Sequence, residues 1–213
     1  VDICENGTDV YVRIIDYKTG KKDFNIVKTY YGIDIQLMVY MEAAMKLVAK
    51  MRPGKNVIPA GVFYYNISDP IVSATTESAE EIEDKIKGEL RLKGMVNSDK
   101  DIAEKMDNPE GTSLNIPVSR KADGGFDSRR SKVMNTEQFN MLGRFVDVRA
   151  VDTADRIAGG DIRRSPYKDG QFSSCDRCPY GAVCGFSVDL PGCNYRKLKK
   201  FDDEVLWNNI KEG

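Results

Sequence analysis

A chain of 213 residues is long enough to bury the core of one well-packed domain. Its 32 basic and 33 acidic side chains leave a formal charge of −1, so a nucleic-acid site must be a local patch and not a global field. The absence of histidine excludes Ser-His-Asp and Cys-His catalysis, HExxH zinc sites and Cys2His2 fingers within this polypeptide, and leaves acid–base work to carboxylates, lysine, tyrosine or metal-bound water.

The opening, VDICENG, has no initiator Met, basic n-region or apolar h-region, so no secretory signal is expected and the chain is expected to begin inside a structural element. It predicts a β-hairpin: VDIC, a turn at Asn6-Gly7, then VYVRIIDYK, rich in β-branched residues. After a glycine turn at Gly20, the stretch IDIQLMVYMEAAMKLVAKM predicts a helix from about Ile33 to Met51, apolar on nearly every side and therefore buried, stopped by Pro53-Gly54. Its apolar run from Ile35 to Met41 ends at Glu42, far short of the roughly 18 residues of a membrane span, and a soluble protein is expected. PAGVFYYNI predicts a third strand, closed by Ser68-Asp69-Pro70.

Residues 71–134 are more polar, with an amphipathic helix expected over Glu80 to Leu92, and are expected to form an insertion or peripheral subdomain. A core helix is predicted over Thr136 to Ala158, where Phe139, Leu142, Phe145, Val146 and Ile157 recur at helical spacing before Gly159-Gly160. The tail from Asn194 predicts a basic loop, then a short helix starting at Asp202 or Asp203 that buries Trp207. No repeat of solenoid period is present.

Three constellations carry chemistry. In a strand, alternate side chains share a face, so Asp16 and Lys18 project together while Tyr17 points away. Such a carboxylate can hold Mg or Mn, and the ammonium can orient the attacking water or stabilise transition-state charge. Read alone, D-x-K is far more often an ordinary same-face ion pair where a strand emerges. Gln36 and Tyr40 stand i, i+4 on one helix face as the polar members of an apolar stretch, suited either to a helix–sheet seam or to a site beside the metal and the DNA backbone. Cys175, Cys178 and Cys184 form a C-x2-C-x5-C loop, the chelate used by zinc and iron–sulfur sites, and an odd total of five cysteines argues against a secreted disulfide framework and for a reducing compartment such as the cytoplasm. Cys193, Cys4 or a cysteine outside the chain is left as fourth ligand.

Together these residues resemble the RecB-type PD-(D/E)XK nucleases, and within them the nuclease domain of the AddB component of bacterial AddAB helicase-nucleases. The matches run in order through RIIDYKTG, YYGIDIQLMVYM, PAGVFYYNISDP and CDRCPYGAVCGF, with GDIRRSPY and NYRKL also fitting, over nearly all of residues 1–210. The resemblance implies an α/β, restriction-endonuclease-like core, a mixed sheet flanked by helices, in one nuclease domain over residues 1–213. It implies Mg-dependent cleavage of one DNA strand in double-strand-break repair, an AddA-type partner, and a 4Fe-4S cluster acting as a staple and not as an electron carrier. Asp16 would be a metal ligand, Lys18 the catalytic lysine, Gln36 and Tyr40 the downstream motif, and Cys175, Cys178 and Cys184 three cluster ligands. The family's second catalytic acid and fourth cluster cysteine are expected upstream of Val1, so the isolated chain is expected to be inactive or very weak.

Two other readings use the same features. CRISPR-associated RecB-like nucleases share the motifs but are compact, and the polar 71–134 segment argues against them. A non-catalytic DNA-binding module with a zinc knuckle would use Arg129-Arg130, Arg163-Arg164 and RKLKK. No G-x4-GK[ST] loop is present, so ATP use would belong to other segments.

Overall fold

The computed structural model describes residues 1–67, 69–72 and 78–213; Ser68, expected in the turn after the third strand, lies outside them. The described residues divide into two compact units, Val1–Asp147 with Gly213, and Val148–Glu212.

The first unit is built on the predicted hairpin. Strand β1 (Asp2–Asn6) pairs antiparallel with β2 (Asp9–Lys18), and Gly7, at φ +62°, supplies the positive φ that a tight hairpin turn needs at its first central position. Strand β3 (Asn56–Asn66) runs parallel to β2 from Asp9↔Asn56 to Lys18↔Asn66. Parallel neighbours need a crossover of a dozen residues or more, and α1 (Ile26–Tyr30) with α2 (Gln36–Met51) provides it. The helix begins three residues later than its apolar pattern does, because Ile33 to Ile35 form the turn that enters it.

The sheet continues with α3 (Ala79–Leu90), β4 (Lys93–Asn97), α4 (Lys100–Met106), β5 (Val133–Met134) and α5 (Thr136–Ala158) in chain order. Its strand order is β1-β2-β3-β4-β5, with β4 antiparallel to β3 and β5 parallel to β4, giving a mixed sheet flanked by helices. The 71–134 segment, expected to be peripheral, thus supplies two strands, β4 and β5, to the central sheet. Its Val96, Ala103, Ile116 and Val118 cluster with Phe63 of β3 and cover one face of the sheet. Only α3 behaves as a surface helix: none of its residues is buried, and a capping box between Ser78 and Glu81 fixes its start.

A bulge interrupts the β2–β3 register, where Val12 pairs with Pro59 but Arg13 with Gly61. Proline cannot donate to the ladder, which is why it sits at such an irregularity. The fully buried Asn97 closes the defect: its Nδ2 donates to the Pro59 carbonyl at 2.7 Å and to Thr136 Oγ1 at 2.8 Å, and its Oδ1 accepts from the Asp99 amide at 2.9 Å.

On the other face, α2 buries Leu37, Met38, Met41, Ala44 and Val48. Burial all round was expected of this helix, yet Leu47 and Met51 are 57% and 53% exposed. A stripe of that width needs only one side of the helix for the core.

The second unit contains a small sheet of order β7-β6-β8, made of β6 (Tyr167–Asp169), β7 (Phe172–Ser173) and β8 (Arg196–Lys197). A single turn, α6 (Gly181–Cys184), carries the last cysteine of the loop, and α7 (Asp203–Glu212) ends the chain. Ile157, expected in the core of α5, is 71% exposed. Trp207 is only partly buried, since the i, i+4 pair Leu206 and Ile210 forms the buried face of α7. Among the described residues no helix is long and apolar enough to cross a membrane.

Candidate active site

Strand register and helix spacing bring Asp16, Lys18, Gln36 and Tyr40 into one line. Asp16 and Lys18 leave the end of β2 on the face covered by α2, while Tyr17 points away and meets Tyr65 edge-on at 5.6 Å. Lys18 Nζ stands 2.8 Å from Asp16 Oδ2 and donates to Gln36 Oε1 at 2.7 Å. Gln36 Nε2 in turn donates to the Tyr40 hydroxyl at 2.9 Å. The helix therefore fixes the lysine from above, and the lysine lies between an anion and a neutral acceptor.

The Asp16–Lys18 pair is close but not aligned as a hydrogen bond, and Oδ2 of Asp16 is buried without a hydrogen-bond partner. Its charge is met at 2.8 Å by the Lys18 ammonium, and the carboxylate keeps lone pairs for a second cation. A divalent cation is a fitting occupant. Among the described residues no three His, Cys, Asp or Glu side chains converge on a metal position, and Asp16 is the carboxylate this line offers to a metal. Mg suits such a donor set, because it keeps several waters and is commonly held by one or two carboxylates plus substrate phosphate.

Further residues around this line carry no motif of their own. Tyr64 is the register partner of Asp16 on β3, and the Lys18 and Lys22 ammonium groups stand 5.6 and 5.8 Å from its ring centroid. Burial, reinforced by the charges of Asp34 and Asp16 and by Tyr40, pushes the Tyr64 hydroxyl up to about 12, so it stays protonated at neutral pH. Lys22 pairs with Asp34, two residues before Gln36. Asn66, the register partner of Lys18, accepts from the Lys22 amide at 3.0 Å and donates to its carbonyl at 3.1 Å. These roles become visible only once β2 and β3 are aligned; the sequence offers no signal beyond the shared ends of two apolar runs.

The cysteine loop lies in the second unit. Cys175, Cys178, Cys184 and Cys193 are all free thiols, as is the exposed Cys4 on β1. The Cys178 amide donates to the Cys175 carbonyl at 3.1 Å, closing a turn between them. Arg164 Nη1 donates to the carbonyls of Cys184 and Gly185 at 3.0 and 2.9 Å, fixing the far end. The donor set is that of a thiophilic metal or cluster, although no three of the thiols converge among the described residues. The basic pairs read as DNA contacts are partly committed: Arg163 and Arg156 both bind Asp161, whose carboxyl Arg163 holds well below the usual carboxylate range.

A mixed sheet flanked by helices, with an Asp-x-Lys strand end answered by a Gln-Tyr helix face, defines a class of metal-dependent nuclease. The chain belongs to the PD-(D/E)XK nuclease superfamily, whose sequence model matches residues 1–185, a range that includes Asp16, Lys18, Gln36, Tyr40 and the loop 175–184. More particularly, it is homologous over its length to a segment of the B-type subunit of ATP-dependent helicase/deoxyribonuclease. It is 36% identical to that protein from Thermoanaerobacter sp. (strain X514) and 38% identical to that from Caldanaerobacter subterraneus subsp. tengcongensis, each over 214 residues covering 100% of this chain and 18% of the relative. The protein of that description from Lachnoclostridium phytofermentans is 36% identical over 222 residues, covering 100% of this chain and 19% of its own. The chain thus spans less than a fifth of the length of these relatives.

Proposed function

We propose that this chain is the Mg- or Mn-dependent deoxyribonuclease domain of an AddAB-type helicase-nuclease, which hydrolyses one DNA strand during double-strand-break repair and recombination. The observation that carries the reading is the line Asp16–Lys18–Gln36–Tyr40, in which a buried carboxylate oxygen lacks a hydrogen-bond partner beside an oriented ammonium. Asp16 would hold the metal, which supplies Lewis-acid polarisation of the phosphate and a bound water of lowered pKa. Lys18, held by Gln36, orients that water or stabilises charge on the phosphoryl oxygens. Tyr40 supports Gln36 and offers its ring edge to the DNA backbone.

Cys175, Cys178 and Cys184 would hold a 4Fe-4S cluster with a fourth cysteine from elsewhere. A staple suits the second unit, where Leu206 and Ile210 are the only buried hydrophobic side chains among the described residues, too little core to hold a unit of that size. An AddA-type helicase would be the partner, ATP would be used by helicase segments, and the cytoplasm would be the compartment that keeps these thiols reduced.

Substitution Asp16→Asn tests the catalytic reading in the assembled helicase-nuclease. It removes the metal-binding charge at constant size, and cleavage is expected to fall at least about 10²- to 10³-fold with ATPase and DNA binding retained. Cleavage at the parent rate, with an unchanged metal requirement, would sink the assignment.

A further inference from the structure

The row of residues through the active site extends past it. Asp16 is the register partner of Tyr64, and Tyr64 is the register partner of Lys93 on β4. Register partners share a face of the sheet, so Lys93 stands on the same face as Asp16, two strand spacings or about 10 Å away.

Lys93 lines a groove of about 350 Å3 with four other cations, Lys21, Lys22, Arg91 and Lys132. Such a basic lining suits the phosphates of a nucleic-acid backbone. Its five cations outnumber its two acids: Asp23 is paired with Lys132 at 2.5 Å, Glu89 lines the groove without an ion pair among the described residues, and Lys22 is paired with Asp34. Lys21, Arg91 and Lys93 thus have no acidic partner among the described residues. Arg91 gives Nη1 to the Ser113 carbonyl at 3.3 Å, which orients its guanidinium at the groove's edge. The floor is fixed, because Asn66 grips the Lys22 backbone through both its amide and its carbonyl.

We infer that this groove is a phosphate-binding subsite that carries a single DNA strand to Asp16 and Lys18, with Lys93, Arg91 and Lys21 contacting phosphates away from the one being cut. The substrate role rests on the nuclease reading above; the binding does not. Phosphate contacts fix register without reading sequence, so the subsite would set the strand's approach and not its base preference.

The test is fluorescence anisotropy of a labelled oligo-dT strand of about 20 nucleotides against the full chain in EDTA, titrated from about 50 to about 200 mM salt. Lys93→Gln and Lys21→Gln are the variants, chosen because neither breaks an ion pair; unchanged melting curves check their folding. Each is expected to bind about three- to tenfold more weakly and to make the plot of log K against log salt shallower by about 0.7. Parent-like affinity and slope in both variants, or no binding by the parent, would overturn the subsite. Equal losses on a duplex of the same length would overturn its preference for a single strand. The two readings fail separately: Asp16→Asn that still cleaves while Lys93→Gln binds weakly removes the catalytic assignment and leaves the groove, and the opposite pair of results does the reverse.

Discussion

At the scale of single residues, the site uses side chains whose neighbours decide their state. Glu42, one turn beyond Met38 on α2, shows this away from the catalytic line. Burial, with the charge of Asp147, raises its carboxyl above the ordinary range, against a smaller opposite pull from Lys46 and Arg144. A carboxyl raised in the fold stabilises the protein below its unfolded pKa, near about 4.3, and that contribution is lost as pH rises through the folded value. Ionised Glu42 is therefore a cost at neutral pH. Glu42→Gln should melt at higher temperature than the parent at pH 7, with the gap closing as pH falls towards 4; a gap that is constant across that range would show that ionisation is not responsible. The shared faces of Asp16 with Lys18 and of Gln36 with Tyr40 were legible in the sequence because period-2 and i, i+4 spacing place side chains without knowledge of the fold, while joining the two pairs needed the family resemblance. Tyr64, Asn66 and Lys93 were not, since their places depend on register between strands that lie far apart in the chain.

At the scale of elements, the hairpin, α2, β3 and α5 follow from apolar periodicity and turn residues. Strand β4 escaped because KGMVN is short and contains a glycine, and neither feature suggests a strand. The structure explains the glycine: a Cβ at Gly94 would lie 1.9 Å from the Val62 carbonyl oxygen and 2.9 Å from Phe63 Cα, both backbone atoms of β3. Gly94→Ala must push the strands apart and is expected to cost about 3 kcal/mol or more, read by chemical denaturation. Gly88 makes the opposite case, lying inside α3 with open space where its Cβ would go. Gly88→Ala should stabilise by about 0.5 to 1 kcal/mol through reduced backbone freedom in the unfolded chain. Helical spacing also misled at Ile157, where the apolar repeat of α5 outlasts the part of the helix that is buried, and at Trp207, where size suggested burial that the Leu206–Ile210 pair takes instead.

At the scale of the molecule, the two units differ in what holds them. The first has a sheet with both faces covered, and the second has little apolar interior and four free thiols. Protein purified without oxygen is expected to contain iron and labile sulfide. Stripping the metal, or Cys178→Ser, should raise amide hydrogen exchange across residues 160–200 and leave that of β2 and β3 unchanged. Stoichiometric zinc without sulfide would replace the cluster by a structural zinc site, and exchange indifferent to metal would remove the staple altogether. In the first unit, Asn97 has a bearing on the route to the folded state. Its amide reaches Pro59, 38 positions back, and Thr136, 39 positions on, so these two bonds exist only after β3, β4 and the start of α5 have docked. Interactions completed after the barrier affect escape from the native state and not arrival at it. Asn97→Ala, costing about 2 kcal/mol through its stranded partners, should therefore accelerate unfolding in stopped-flow experiments while leaving the refolding arm of the chevron almost where it was.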